Sequence, residues 1–429
     1  MALKAMILQG TIVIDAWLVA GLGETALAGL GVAAALAGVA LSAIFAVSHA
    51  MQIRAAQAFG TGDAAFQRSA LLCGLILAAG LGAVAVAVLW AFGASALAAL
   101  APTPEAAALA GDYLSIFLLV IAGEAVGQTL SSHFNGCGRT KVPLASYALA
   151  LPVNVAVSAA LIHGAWGLPA LGVEGAAIGS AVAVALQVVI LAAVLMRDPP
   201  AARGWHGGGA AIALRRHLAF SAPIAATFLS AGLAFNVCAL VYARLPLEAF
   251  AAMTLVMPWI RVAGAMGMQW AQAGGIAVAQ LLGGRRVPDD LDRFLSGAWR
   301  GGFAVAAVVA AVYAAVILAV DPLYPELSPR TRAILAGFLP ILIVLPFLQQ
   351  SNAICGNTLR ASGDTIYVMN LFLASQWLFK VPATAVAVLI LELPAAAVLS
   401  ILVLDEIFKF APFHLRLRRG SWKRADVAA

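Results

Sequence analysis

Residues 70–100 read ALLCGLILAAGLGAVAVAVLWAFGASALAAL, a run without a single charged side chain. An α-helix rises about 1.5 Å per residue and the hydrocarbon core of a bilayer is about 30 Å thick, so roughly 20 such residues cross it. Comparable runs recur along the whole chain. In lipid a backbone must satisfy its own hydrogen bonds, which leaves helices or closed barrels. A barrel needs alternating segments of about ten residues, and these runs are continuous. The 429 residues are 63% hydrophobic and 10% charged, whereas soluble chains carry about a quarter charged residues. The expected fold class is an all-α polytopic membrane protein.

Twelve apolar spans are read, at roughly 4–22, 27–52, 70–100, 106–134, 142–163, 170–196, 218–243, 249–281, 294–320, 333–357, 366–390 and 394–413. Basic residues check this count. Alternate loops and both ends hold nearly all of them, while the other loops hold only Arg244, Arg330 and Arg332. Cytoplasmic loops are enriched in Lys and Arg, so the basic side is cytoplasmic and both termini lie inside. The net charge of +6 is therefore a property of membrane loops, and nucleic acid is not an expected partner. Asp15 interrupts the first apolar run, which argues against a cleaved signal peptide.

The chain also repeats itself. GLGETALAGL (21–30) is echoed by ARLPLEAFAAM (243–253), AAQAFGTGD (55–63) by VAQLLGGRR (278–286), and SSHFNGCGRT (131–140) by SNAICGNTLRASGDT (351–365). The order is kept and the shift is nearly constant. The organisation expected is two pseudo-symmetric six-helix lobes, 1–196 and 218–429 with its basic tail, joined by a cytoplasmic linker at 197–217. Six spans per half make the repeat parallel, an arrangement used by transporters that rock one half against the other.

Ionisable groups inside spans are costly and mark function by default. Two acids fall deep within spans on this reading, Asp15 and Glu124. Gln128 lies one helical turn from Glu124, and the repeat sets Glu124 opposite Gln349. Arg261 and Lys380 fall within spans eight and eleven, and with Gln349 and Asn236 they are candidates for a substrate cavity. His49 and His133 lie near cytoplasmic span ends, where an imidazole can relay protons or simply meet water. Cys73, Cys137, Cys238 and Cys355 show no metal-ligand spacing. No P-loop, GxSxG or HExxH is present, so neither direct ATP drive nor an enzyme is expected.

Four stretches resemble the multidrug and toxic compound extrusion (MATE) transporters, within a superfamily that also holds oligosaccharide-lipid flippases. They are VIDAWLVAGLGETALAGLGVA near the start, RAAQAFGTGD after the second span, NGCGRTKVPL followed by PVNVAVSAALIHGAWGLPALGVEGAAIGSA, and LRASGDT after the tenth. The resemblance implies export of amphiphilic, cationic small molecules driven by H⁺ or Na⁺ entry, with no organic cofactor. It implies a coupling-ion role for Asp15 with Asn154, and for Ser158 one turn on; Gln128 is expected to shape the same surroundings. A Na⁺ ion would sit at Asp15 and Asn154. Some branches carry acids in the seventh and tenth helices, where this chain has Ala231 or Ser230 and Gln349. A monomer in the inner (plasma) membrane is expected. A lipid-linked oligosaccharide flippase is the alternative, with Lys380 and Arg261 meeting a pyrophosphate; a non-transporting receptor or scaffold is a third reading.

Overall fold

The computed structural model describes residues 14–15, 17–198, 204–285, 288–324 and 327–424. Among these the chain is helical throughout, with no strand. Helical residues 14–15 and 17–20 are called α1. They are followed by α2 (Glu24–Thr61), α3 (Ala64–Leu100), α4 (Pro104–Gly136), α5 (Lys141–His163), α6 (Val173–Arg197) and α7 (Ala210–Tyr242). Next come α8 (Leu247–Gly283), α9 (Pro288–Leu318), a single turn α10 (Val320–Leu323), α11 (Pro329–Ala361), α12 (Thr365–Ala374), α13 (Val381–Leu389) and α14 (Ala395–Arg418). Ten described helical stretches are long and apolar enough to cross a membrane, with 365–389 counted as one. Span 4–22 lies largely outside the described residues, and α14 carries three charges in its middle.

Helix ends follow local chemistry. The phrase FGTGD closes α2 and opens α3: Gly62 takes a left-handed φ of 70°, and the Asp63 carboxylate then accepts from the N–H groups of Ala65 and Phe66. Thr103 and Ser328 cap α4 and α11 in the same way, each followed by proline in the first turn. Between α12 and α13 the chain forms a π-helical turn, Ser375–Lys380. Pro382 follows at once; it has no N–H and its ring crowds the preceding turn, so a wide turn relieves both faults.

Two compact units divide the chain at Ala225 and Ala226, inside α7. In unit 1, α4 packs against α2, α3 and α6, and α5 packs against α6. In unit 2, α11 packs against α8, α9 and α14. Counted by span, the fourth helix of each half is therefore central and touches the second, third and sixth of its own half. This repeats the pseudo-symmetry read from the sequence.

The α5–α6 contact in unit 1 is a close one. Gly175 and Gly179 stand four apart on one face of α6. A Cβ on Gly175 would lie 2.7 Å from the Ile162 nitrogen, and one on Gly179 would lie 2.8 Å from the Ser158 nitrogen. Backbone meets backbone there, as at small-residue crossings in membranes.

The sequence-defined linker returns to unit 1. His206 Nδ1 is 2.9 Å from Asp63 Oδ2, and its backbone N–H donates to Ser69 Oγ at 2.8 Å. The imidazole stacks on Phe66 with ring centroids 4.6 Å apart, and Arg68 donates to the Gly204 carbonyl at 2.9 Å. Partial burial would raise the Asp63 carboxyl, but the N–H groups of Phe66 and Ala65 and the His206 ring outweigh it and hold it below the ordinary 3.8.

Two outcomes follow from this packing. Gly175→Val should separate α5 from α6 and lower stability by about 1–3 kcal/mol, read as a lower melting temperature in detergent. Asp63→Ala should cost about 1 kcal/mol through the lost cap. Because the folded Asp63 value is depressed, its contribution is full above the ordinary 3.8 and fades as pH falls through the folded value. The deficit against wild type in melting temperature should therefore be present at neutral pH and shrink in acid.

Candidate functional site: an acid-lined cavity in unit 1

The close crossing of α5 and α6 sets Asn154 beside Ser180, the residue after Gly179. The two are within hydrogen-bond reach, Asn154 Nδ2 to Ser180 Oγ being 3.1 Å. Ser180 Oγ in turn donates to Asp15 Oδ2 at 3.2 Å. Turned over, the Asn154 amide donates to Asp15 Oδ1 at 3.2 Å while its carbonyl accepts from the Ser180 N–H at 3.2 Å. An ionised carboxylate only accepts, so it selects this second orientation. A protonated one gains a donor and can face the amide carbonyl instead. The Asn154 side chain can thus answer either state of Asp15. Asp15, Asn154 and Ser180 are all buried.

These residues line a cavity of about 390 Å³ within unit 1. Its walls are chiefly apolar, with Leu30, Leu41, Phe45, Phe117 and Leu151 among them. Glu124 also lines it, and among the described residues no Lys or Arg does. Around Glu124 stands a second polar group drawn from three helices. Gln128 Nε2 donates to Glu124 Oε2 at 2.7 Å and also bonds the Tyr147 hydroxyl. That hydroxyl bonds Gln187 of α6 as well. The arrangement offers acceptor oxygens facing an apolar space, which suits a proton, a small cation or a cationic amphiphile.

The other residues singled out from the sequence fall elsewhere. Ser158 is fully buried, but its Oγ has no hydrogen-bond partner among the described residues and sits where a Cβ on Gly179 would go. It belongs to the helix crossing. Gln128 bonds Glu124 and Tyr147, so it furnishes the second acid. In unit 2, Gln349 is half-buried, and its neighbour Gln350 is the glutamine that is buried, against Gly267 and Gly302. Asn236 and Arg261 are exposed, the Arg261 guanidinium lying 4.9 Å from the Phe235 ring. Lys380 is half-buried at the end of the π turn. Ser230 is buried; it donates to Gln376 at 2.6 Å and accepts from Trp377 at 2.8 Å.

Sequence reasoning missed Ser180, Tyr147 and Gln187, whose hydroxyls and amide are commonplace in isolation. It also expected only two acids deep within spans. That is corrected here: Asp405 and Glu406 on α14 are 5% and 8% exposed. Their signal was present as LDEIFKF, two acids with a lysine one turn on.

The helices and cavity define a multi-pass membrane protein, and its fold is that of MATE transporter structures. A crystal structure of the eukaryotic MATE transporter AtDTX14 aligns with a TM-score of 0.83 at 19% identity, covering 100% of this chain and 95% of that one. A MATE crystal structure in the bent conformation aligns with a TM-score of 0.86 at 17% identity, with the same coverage. The MatE family model matches residues 1–160. A probable multidrug resistance protein NorM of Bradyrhizobium diazoefficiens is 32% identical over 244 residues, 56% of this chain and 52% of that protein. One from Rhizobium meliloti is 26% identical over 332 residues, 75% of this chain and 70% of that protein. The chain thus spans about half the length of the first of these relatives. The family model thus covers the first 160 residues, and over its whole length the chain shares the fold of the MATE structures.

The Glu124 group makes a stability prediction. Gln128→Leu removes a donor from a buried carboxyl and should cost about 1–3 kcal/mol. Adding Glu124→Leu removes the carboxyl that lost this donor and should recover part of that loss. Melting temperatures of the two variants in detergent check the order.

Proposed function

We propose that the protein is a secondary active multidrug exporter, an antiporter that moves amphiphilic cationic compounds outward in exchange for inward H⁺ or Na⁺. The observation that carries this reading is Asp15, buried in an apolar cavity and bonded to Ser180 within reach of Asn154. A carboxyl so placed binds a proton, a small cation or a cationic substrate, and two of these cannot share it at full strength. Competition for one charge is the minimum chemistry of exchange. Occupancy shifts the balance of two conformations only if it binds them differently. The flexible donor set around Asp15 supplies such a difference.

Na⁺ is compatible with the donors present. The Asp15 carboxylate, the Ser180 hydroxyl and the Asn154 carbonyl are all oxygens, as a hard cation requires. Glu124 is the second candidate acid; bonded to Gln128, it would meet the positive end of a substrate. A cavity lined by Asp15 and Glu124 and, among the described residues, by no Lys or Arg favours cations over the pyrophosphate of a lipid-linked oligosaccharide. The relatives' description as probable multidrug resistance proteins points the same way. The protein would work as a monomer in the inner membrane with both termini cytoplasmic, the side on which its basic loops lie.

Antiport in proteoliposomes, with Na⁺ and pH gradients imposed separately and a lipophilic cationic dye as substrate, tests this reading. Asp15→Asn should bring substrate-coupled ion movement down to the rate of protein-free vesicles while leaving folded protein near wild-type yield. Unchanged antiport would remove Asp15 from the coupling role.

A further inference from the structure

Unit 2 buries a charged group that export through the unit 1 cavity does not use. Lys409 of α14 is 4% exposed. Its Nζ lies 3.0 Å from Asp405 Oδ2 and 2.8 Å from Glu406 Oε1. The spacing i, i+3 and i+4 places all three on one face of the helix. From α11, the Asn352 amide donates to Glu406 Oε2 at 2.7 Å and to the Glu406 carbonyl at 2.8 Å. The face of Phe372 closes another side, its centroid 5.2 Å from Nζ. The buried guanidinium of Arg360 lies 5.5 Å from the same ring.

A structural ion pair between two helices needs one acid and one base. Here two carboxylates on one helix converge on a single ammonium. Two more oxygens, Asp405 Oδ1 and Asn352 Oδ1, are buried without a hydrogen-bond partner among the described residues. Buried acceptors are rarely left so. Oxygens gathered around one positive charge are the surroundings of a hard cation. The ammonium is compact, singly charged and strongly hydrated in water, much as Na⁺ is.

We propose that this is a monovalent-cation site whose cation is supplied by the chain itself, the Lys409 ammonium occupying the place of Na⁺. The four-carbon stem holds the charge in the site, so it cannot leave during a transport cycle. Arg360 balances the second acid, and the four groups together sum to zero. Unit 2 then needs no exchangeable ion, and exchange is left to unit 1. The proposal stands independently of which compound is exported.

The test empties the site. In an Asp15→Asn background, which silences the unit 1 site, Lys409→Met leaves two buried carboxylates with no ammonium between them. Its melting temperature in detergent at mildly alkaline pH should be low in choline chloride. It should rise saturably with added Na⁺, by roughly 5 °C at saturation. The parent, with Lys409 in place, should melt at the same temperature in both salts. Asp405→Asn with Lys409→Met leaves one buried carboxylate instead of two, and with Arg360 counted it carries no net charge. It keeps the measurement available if the single variant does not fold, and it should show the same Na⁺ response. Adding Glu406→Gln to this pair removes the last carboxylate and should abolish the response. A folded Lys409→Met or Asp405→Asn/Lys409→Met protein that ignores Na⁺, or that is stabilised by acid and not by Na⁺, would overturn the proposal.

Discussion

Between two helices surrounded by lipid, apolar side chains gain nothing by leaving the solvent, because the solvent is hydrocarbon. What holds such helices together is close van der Waals contact and the few polar groups that find each other. In this protein the constraint is met by small residues at crossings, and the site in unit 1 depends on one of them. Gly175 and Gly179 let α6 lie directly on the backbone of α5. That approach puts Ser180 next to Asn154, and both next to Asp15. With a bulkier residue at either glycine the carboxyl would keep its cost of burial and lose its partners.

The same economy places one helix at the middle of each unit. The fourth helix of each half, α4 or α11, meets the second, third and sixth helices of its own half. Each central helix also carries polar side chains inward: Glu124 and Gln128 on α4, Gln350 and Asn352 on α11. The halves have diverged in what they do with that position. In unit 1 the acid faces an apolar cavity. In unit 2 an amide clamps one carboxylate of a group that already contains its own ammonium. A shared scaffold thus supports an open, charge-poor site on one side and a closed, charge-rich one on the other.

Much of the fold was legible in the sequence because lipid imposes a coarse rule. Length and apolarity alone mark a span, and strictly alternating loop charge checks the count. The repeat, read from three short phrases, reappears in which helices pack together. Asp15 and Glu124 were legible because a carboxyl in an apolar run has few bland explanations, and Asn154 because the family resemblance implied it. Ser180, Tyr147 and Gln187 were not, since their part is set by which helix face meets which, and the sequence carries no such geometry. Ser158 illustrates the converse. One turn from Asn154, it had the right spacing, yet its hydroxyl points at the glycine crossing. Asp405 and Glu406 were not singled out, although they lie within the span read at 394–413.

The π turn at Ser375–Lys380 carries a consequence for how this chain can change in length. A π turn holds one residue more than the α-helix around it. Delete that residue and the helix could close to regular α geometry, but everything on one side of the turn would rotate by about 100°. Gln376 and Trp377 would swing away from the Ser230 hydroxyl that joins them. Loops in this protein can gain or lose residues at little cost, and most spans can trade one apolar residue for another. This span is a segment whose residue count is itself part of the structure, fixed by a proline on one side and a shared hydroxyl on the other.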